Sequence, residues 1–219
     1  MTVRATFQAE LNELKEMIIQ LGNQAQAAIK QAIESLKNQD VDKALKIIEN
    51  DIHLNNMEEE INDKASLLIA QQAPVAVDLR RVIVAIKISS DLERVGDLAV
   101  DIAKSVIRIG TNQLIKPIEE IPRIAEVASK MVSDSLKAYS EENIELAKNV
   151  AKEDDEVDEA YGRLIKELLE LMTQKPEYNP QITQLLFICR YVERVADHST
   201  NISESTLYLI KGKRYDLNQ

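Results

Sequence analysis

The strongest constraint on the fold is a self-similarity. Apolar residues at Leu11, Leu14, Ile18, Leu21, Ala25, Ala28, Ala32 and Leu36 recur at steps of three and four, the spacing that places them on one stripe of an α-helix. Displaced by 103 residues, the same grammar returns: Ile18 falls on Ile121, Leu21 on Ile124, Ala25 on Ala128, Ile29 on Val132, Ala44 on Ala147 and Asp51 on Asp154. The chain is a tandem duplication, so its halves are expected to fold alike and to pack through related surfaces.

Each half reads as three helices. The first stripe is interrupted at Asn38 to Asp40. A second helix is expected to open on the Asp40 carboxylate and to run through Leu45, Ile48, Ile52 and Ile61 to about Ala70. Pro74 is expected to start a third, with Ile88, Leu92, Val95, Ala99, Ile102 and Val106 inward and a left-handed end at Gly110. A linker from Gly110 to Pro117 separates the copies, and a second turn lies near Gln174 to Asn179. Past that turn the best offset becomes 100, because the second copy has three residues fewer there. Only 5 Gly and 5 Pro punctuate 219 residues, too few for a many-stranded β protein. The predicted fold class is all-α, a tandem duplication of a three-helix bundle. Residues 1–112 and 113–219 form the two repeats, with six helices of about 45 Å each by helical rise. The tail from Lys211 to Gln219 reads as a short basic hook or a frayed end.

Charge and composition exclude several functions. With 27 Lys and Arg against 37 Asp and Glu, the net charge is −10, and no concentrated positive surface is available for nucleic acid. No apolar run approaches the roughly 18 residues of a bilayer span. The single cysteine, Cys189, cannot form an intrachain disulfide and reads as a core residue. With no secretory signal at the start, the expected compartment is the cytoplasm. No glycine-rich phosphate loop, G-x-S-x-G or Glu-x-x-His is present. His53 and His198 read as ordinary histidines.

Chemistry concentrates in carboxylates. Glu93, Asp97 and Asp101 stand four residues apart, so they share one face, and the second copy repeats them as Glu193, Asp197 and Asn201. Angular placement from Leu92 puts this ladder opposite the apolar stripe, on the outside. Like charges four apart destabilise a helix by about 0.2–0.5 kcal/mol per pair. Two things can offset that: neighbouring Arg94, Arg190 and Arg194 on a solvated face, or a hard metal ion bridged by oxygen ligands. Reflection about the interhelical turns brings Asp51 to the height of Asp97, and Asp154 and Asp158 to that of Asp197; Asp155, Glu156 and Glu159 read as solvated. Gly96 and Ala196, inside the two motifs, leave space for an ion or for a close-packed neighbour.

These residues carry a resemblance. The duplicated architecture, with Asp91-Leu92-Glu93-Arg94-Val95-Gly96-Asp97 in one copy and Tyr191-Val192-Glu193-Arg194-Val195-Ala196-Asp197-His198 in the other, resembles the PhoU family of phosphate-specific transport accessory proteins. Asp154-Asp155-Glu156-Val157-Asp158 and Ala73-Pro74-Val75-Ala76-Val77-Asp78-Leu79-Arg80 fit the same pattern. The likeness implies a cytoplasmic, homodimeric negative regulator of phosphate uptake and of the phosphate-starvation response. It would join the ATP-binding subunit of a phosphate ABC transporter to a sensor histidine kinase. It also implies divalent or iron-type metal ions at the E(D)-x-x-x-D motifs, here Glu93 with Asp97 and Glu193 with Asp197. Asn201, neutral where the first copy has Asp101, departs from a strict doubling. A competing class is a carboxylate-bridged metal enzyme, a hydrolase or oxidase, against which the expected placement of the ladder on an exposed helix face, with the arginines as its only nearby cations, argues.

Overall fold

A computed structural model describes residues 3–217. Six helices and one short 3-10 turn make up the fold: α1 (Val3–Asn38), α2 (Val41–Gln72), α3 (Val77–Ile109), α4 (Glu120–Glu141), α5 (Ile144–Gln174) and α6 (Asn179–Lys211), with the 3-10 turn at Pro176–Tyr178. No strand occurs among the described residues.

The duplication extends to the caps. Asp40 accepts from Lys43 N at 2.9 Å, and Asn143, which is 103 residues on, accepts from Leu146 N at 3.0 Å. Just before each cap sits a residue in left-handed conformation, Gln39 and Glu142, both with φ 51°. The short polar side chain satisfies an end N–H that the helix cannot, and so fixes where α2 and α5 begin.

Local departures from expectation have local causes. The third helix begins at Val77 rather than Pro74, because Ala73 (φ 42°) and Ala76 (φ 52°) turn the chain first. Gly110 has the expected positive φ of 68°, but its ψ of −154° carries the chain away instead of closing a left-handed helical end. The linker is held by Gln39 Nε2 on the carbonyls of Gly110 and Asn112 (3.1 and 2.6 Å), and by Gln181 Oε1 accepting from Ile115 N at 2.8 Å. It consumes sequence that would otherwise lengthen α4, which has 22 residues rather than about thirty. On α2 the inward positions are Ala44, Ile47, Leu54, Ile61, Ala65 and Leu68, whereas Leu45 and Ile52, expected on the stripe, are exposed. The tail turns back after Lys211 and its Leu217 N donates to Glu204 Oε1 at 2.7 Å; its last two residues lie outside the described range.

α1, α3, α6 and α4 form a central four-helix layer, with α2 packed outside the first pair and α5 outside the second. α3 and α6 run antiparallel: Arg80 Nη1 donates to Leu209 O (3.1 Å) near one end, and Asp91 meets His198 three turns further in. α1 and α4 are also antiparallel, joined by Gln26 Nε2 on Ser129 O at 2.6 Å. Gln26 and Ser129 are the same position of the two copies, so a pseudo-two-fold axis passes between them. Gly22 allows the close approach, since a Cβ there would lie 2.3 Å from Leu136 Cδ1. One continuous buried cluster draws on both repeats, including Ile18, Leu21, Leu92 and Ile102 from the first and Ile124, Met131, Val192 and Ile202 from the second.

Candidate metal centres in two acidic grooves

The two ladders lie along the lines where the outer helices cover the inner ones. α3 packs on α1, α2 and α6, and α6 packs on α3, α4 and α5, so little of either is open. The sequence placed the carboxylates on an outer face; the structure puts them in interhelical grooves. Glu193 is 8% exposed and Asp154 6%, while Asp97 and Asp101 stay half-exposed at the rim. The reason is geometric. A stripe identifies the driest side of a helix, whereas α2 and α5 close over the flank as well.

In the first groove Asp51 of α2 faces Asp97 and Asp101, and Glu93 faces Asp97, Glu58 and Asp51. Loss of water, then the negative neighbours, push the carboxyls of Asp51 and Glu93 above their ordinary range. Relief is partial. Arg94 reaches Asp97 at 2.8 Å and Glu93 at 3.5 Å, Lys104 reaches Asp101 at 3.4 Å, and the Asn55 amide lies 3.4 Å from Asp51 Oδ2. Asp51 Oδ1 is buried with no hydrogen-bond partner.

The second groove is drier. Burial first, then Asp158 and Asp197, raise Asp154 to about 6. Burial first, then Asp197, raise Glu193 to about 7, although Arg190 is paired with it. Asp158, at the exposed edge, is raised by the same causes. Thr200 beside Asp154 opposes the shift, yet neither its hydroxyl nor Asp154 Oδ1 makes a hydrogen bond of good geometry, and Glu193 Oε2 is also without one. Asp155, Glu156 and Glu159 are exposed, as read from the sequence.

The structure thus gathers Asp51, Glu93, Asp97 and Asp101 in one groove and Asp154, Asp158, Glu193 and Asp197 in the other. Asn201 does not join them. Its amide points across the repeats to Asp91 Oδ1 (3.4 Å), which also lies 2.9 Å from His198 Nδ1. Sequence spacing does not reveal this cross-repeat cluster, because His198 has no metal-ligand partner at helical spacing along its own helix. The available signal was that Asp91 and His198 both break the repeat, standing where the other copy has Tyr191 and Leu98. Gly96 serves packing rather than ion space: a Cβ there would meet Leu54 Cδ1 at 3.1 Å, and Ala196 is fully buried.

Chemically, each groove holds more negative charge than its basic neighbours neutralise, and its desolvated oxygens lack donors. An all-oxygen donor set of this kind fits a hard cation. As the side chains lie, no group of three or more His, Cys, Asp or Glu among the described residues is placed to hold a metal ion. Arg94 contacts Glu93 and Asp97, and Arg190 contacts Glu193, so these guanidiniums share the carboxylates with any ion that would bind there. The one thiol is unsuited to chemistry: Cys189 is fully buried, and burial pushes it up to about 12.

Comparison with known proteins follows the repeat. The PhoU domain family matches residues 18–106 and again 121–206. A curated relative from Clostridium acetobutylicum, "Phosphate-specific transport system accessory protein PhoU homolog", is 42% identical over 216 residues, covering 98% of this chain and 99% of its own. The Escherichia coli "Phosphate-specific transport system accessory protein PhoU" is 30% identical over 213 residues, covering 97% and 88%. Among solved structures, PhoU from Streptococcus pneumoniae, described as a phosphate transport system regulatory protein, superposes with a TM-score of 0.90 at 33% identity, covering 96% of this chain and 99% of that one. PhoU from Pseudomonas aeruginosa gives 0.91 at 30% identity, covering 94% and 100%. No helix among the described residues is long and apolar enough to cross a membrane.

Proposed function

The chain belongs to the PhoU family, and on that premise we propose that it is a cytoplasmic negative regulator of phosphate uptake and of the phosphate-starvation response. It acts by docking rather than by catalysis, joining the ATP-binding subunit of a phosphate ABC transporter to a sensor histidine kinase, and it does so as a homodimer. The observation that carries this reading is likeness along nearly the whole chain to transport accessory and regulatory proteins. Little in the grooves favours the enzyme alternative: Arg94, Lys104 and Arg190 are tied to carboxylates and leave no cation poised over the acidic cluster among the described residues.

The same reading includes metal. Asp51, Glu93, Asp97 and Asp101 would hold ions in the first groove, and Asp154, Asp158, Glu193 and Asp197 in the second. A bound cation supplies the positive charge that these crowded carboxylates lack. The chain's own residues do the selecting: hard oxygens favour divalent or iron-type ions, and α2 and α5 shield the site from water. Asn201 lies outside the ligand set because it serves Asp91.

Two measurements test the proposal. Deleting the gene should leave the phosphate-starvation response on in phosphate-rich medium, and a response that still shuts off would end the regulatory reading. Elemental analysis of wild-type protein and of Asp97→Asn plus Asp197→Asn should show metal lost in the variant without loss of helix. Light scattering that finds only monomer at every concentration would remove the homodimer.

A further inference from the structure

The seam between α3 and α6 carries an exposed ring, Phe187, beside the partly buried Tyr191, that the acidic grooves do not explain. Phe187 is one of only two phenylalanines in the chain, yet it is 44% exposed. Its ring stacks on Tyr191, with centroids 6.3 Å apart and planes 18° from parallel. Asp101 is the strongest charged neighbour of Tyr191, and Arg108 and Lys104 of α3 and Arg194 of α6 also stand within its electrostatic reach. Lys104 touches only Asp101, at 3.4 Å, and Arg108 and Arg194 are exposed and make no ion pair among the described residues. Arg94 and Arg190, by contrast, are committed to their own carboxylates.

The duplication supplies an internal control. One hundred residues earlier, the equivalents of Phe187, Tyr191 and Arg194 are Lys87, Asp91 and Arg94. The first is an exposed lysine, the second is engaged with His198, and the third is paired. The first copy therefore packs its third helix without any aromatic side chain at these positions, so the exposed Phe187 ring is not a requirement of the repeat fold.

We propose that the Phe187–Tyr191 stack, with Lys104, Arg108 and Arg194 around it, is a docking site for an acidic segment of a partner protein that carries an apolar anchor. Exposed aromatic rings beside arginines are the composition of interface hot spots, where the rings bury an anchor and the guanidiniums take carboxylates in two-pronged hydrogen bonds. Charge complementarity names the partner. On a chain of net charge −10, Arg108 and Arg194 keep their guanidiniums free of ion pairs among the described residues beside the rings, and they attract an acidic segment. A nucleic acid is disfavoured, because the carboxylate grooves on either side of the seam oppose a phosphate backbone and three cations are few to offset them.

The inference rests on the docking function proposed above and names its surface. The probe is the purified ATP-binding subunit of the phosphate transporter from the same organism, titrated against the full-length chain. Phe187→Lys with Tyr191→Asp, which copies the first repeat, and separately Arg108→Glu with Arg194→Glu, should each weaken binding at least tenfold with helix content unchanged. Wild-type affinity should fall as salt rises. Phe187→Ala, at an exposed site, provides the same readout if the double variant misfolds. Unchanged affinity in these variants overturns the docking site and leaves the regulatory reading standing. Tighter binding after charge reversal overturns the acidic partner, and patch-dependent capture of a 20-nucleotide single strand in place of the subunit reassigns the site. Failure of the wild-type chain to bind the subunit at all removes the docking reading, and this inference with it.

Discussion

His198 Nδ1 of α6 lies 2.9 Å from Asp91 Oδ1 of α3, and this half-buried pair joins the two repeats at positions whose counterparts in the other copy are Leu98 and Tyr191. A polar tie thus stands at positions that the duplication otherwise fills with a leucine and a tyrosine. Asn201 adds its amide to the same carboxylate, which explains why the second ladder ends in Asn where the first has Asp101: a carboxylate there would repel Asp91. Asp91→Ala should cost about 1 kcal/mol, since it removes a hydrogen bond at a half-buried site. For a chain of this size that lowers Tm by about 2–4 °C. Asp91→Tyr with His198→Leu should recover most of the loss, and a thermal double-mutant cycle measures the coupling.

Stability of the metal-free protein should fall as pH rises. Asp154, at about 6, and Glu193, at about 7, hold their protons more tightly in the folded chain than at their ordinary values of 3.8 and 4.5. Between about pH 4 and pH 7 the folded state therefore binds more protons than the unfolded one, and stability declines with pH across this window before levelling off. Asp51, Glu93 and Asp158 are shifted in the same direction. Thermal unfolding should give a higher Tm at pH 5.5 than at pH 8. Asp154→Asn with Glu193→Gln should flatten that difference, and an equal slope in the variant would refute the assignment.

Removing the arginine counter-charges should favour metal. Arg94 and Arg190 occupy the carboxylates that a cation would need. Arg94→Ala and Arg190→Ala are each expected to tighten binding of a divalent ion several-fold, read by calorimetric titration. Weaker binding in either variant would mean that the arginines assist ligation rather than compete with it.

The two helix glycines should respond differently to alanine. At Gly22 the new methyl would meet Leu136 Cδ1 at 2.3 Å, and Leu136 is itself buried between α1 and α4. Overpacking of this kind costs about 1–3 kcal/mol, more than the roughly 0.5–1 kcal/mol that alanine gains in helix propensity. At Gly96 the nearest atom is Leu54 Cδ1 at 3.1 Å, a side-chain tip that can yield, and the second copy already has Ala196 there. Gly22→Ala should lower the urea midpoint and Gly96→Ala should leave it nearly unchanged. Leu136→Ala placed on Gly22→Ala should cost less than it does alone.

Cys189 should resist thiol reagents in the folded chain. It is fully buried, and its thiol is held protonated, at about 12, by loss of water. Labelling with an alkylating reagent should proceed only as fast as the protein opens, and should become complete in denaturant. Rapid labelling under native conditions would place the residue in a mobile region.

The chain's own pattern determined what is local and what is repeated. Steps of three and four residues define stripes such as Ile88, Leu92, Val95, Ala99, Ile102 and Val106, all buried, because helical geometry alone decides which side chains share a face. Asp40 announced the start of α2 because capping is settled within four residues. The 103-residue offset made the two halves alike before any packing was known. What tertiary structure alone decided is the number of neighbours each helix has. That is why the ladders lie in grooves and not on an outer face, why Leu45 and Ile52 are exposed, and why Leu54 fills the space beside Gly96. It also brought Asp91 to His198, since their 107-residue separation closes only when α3 and α6 run antiparallel. A repeat in sequence specifies two like folds; the surface on which they meet is set by side chains that never see one another until both are folded.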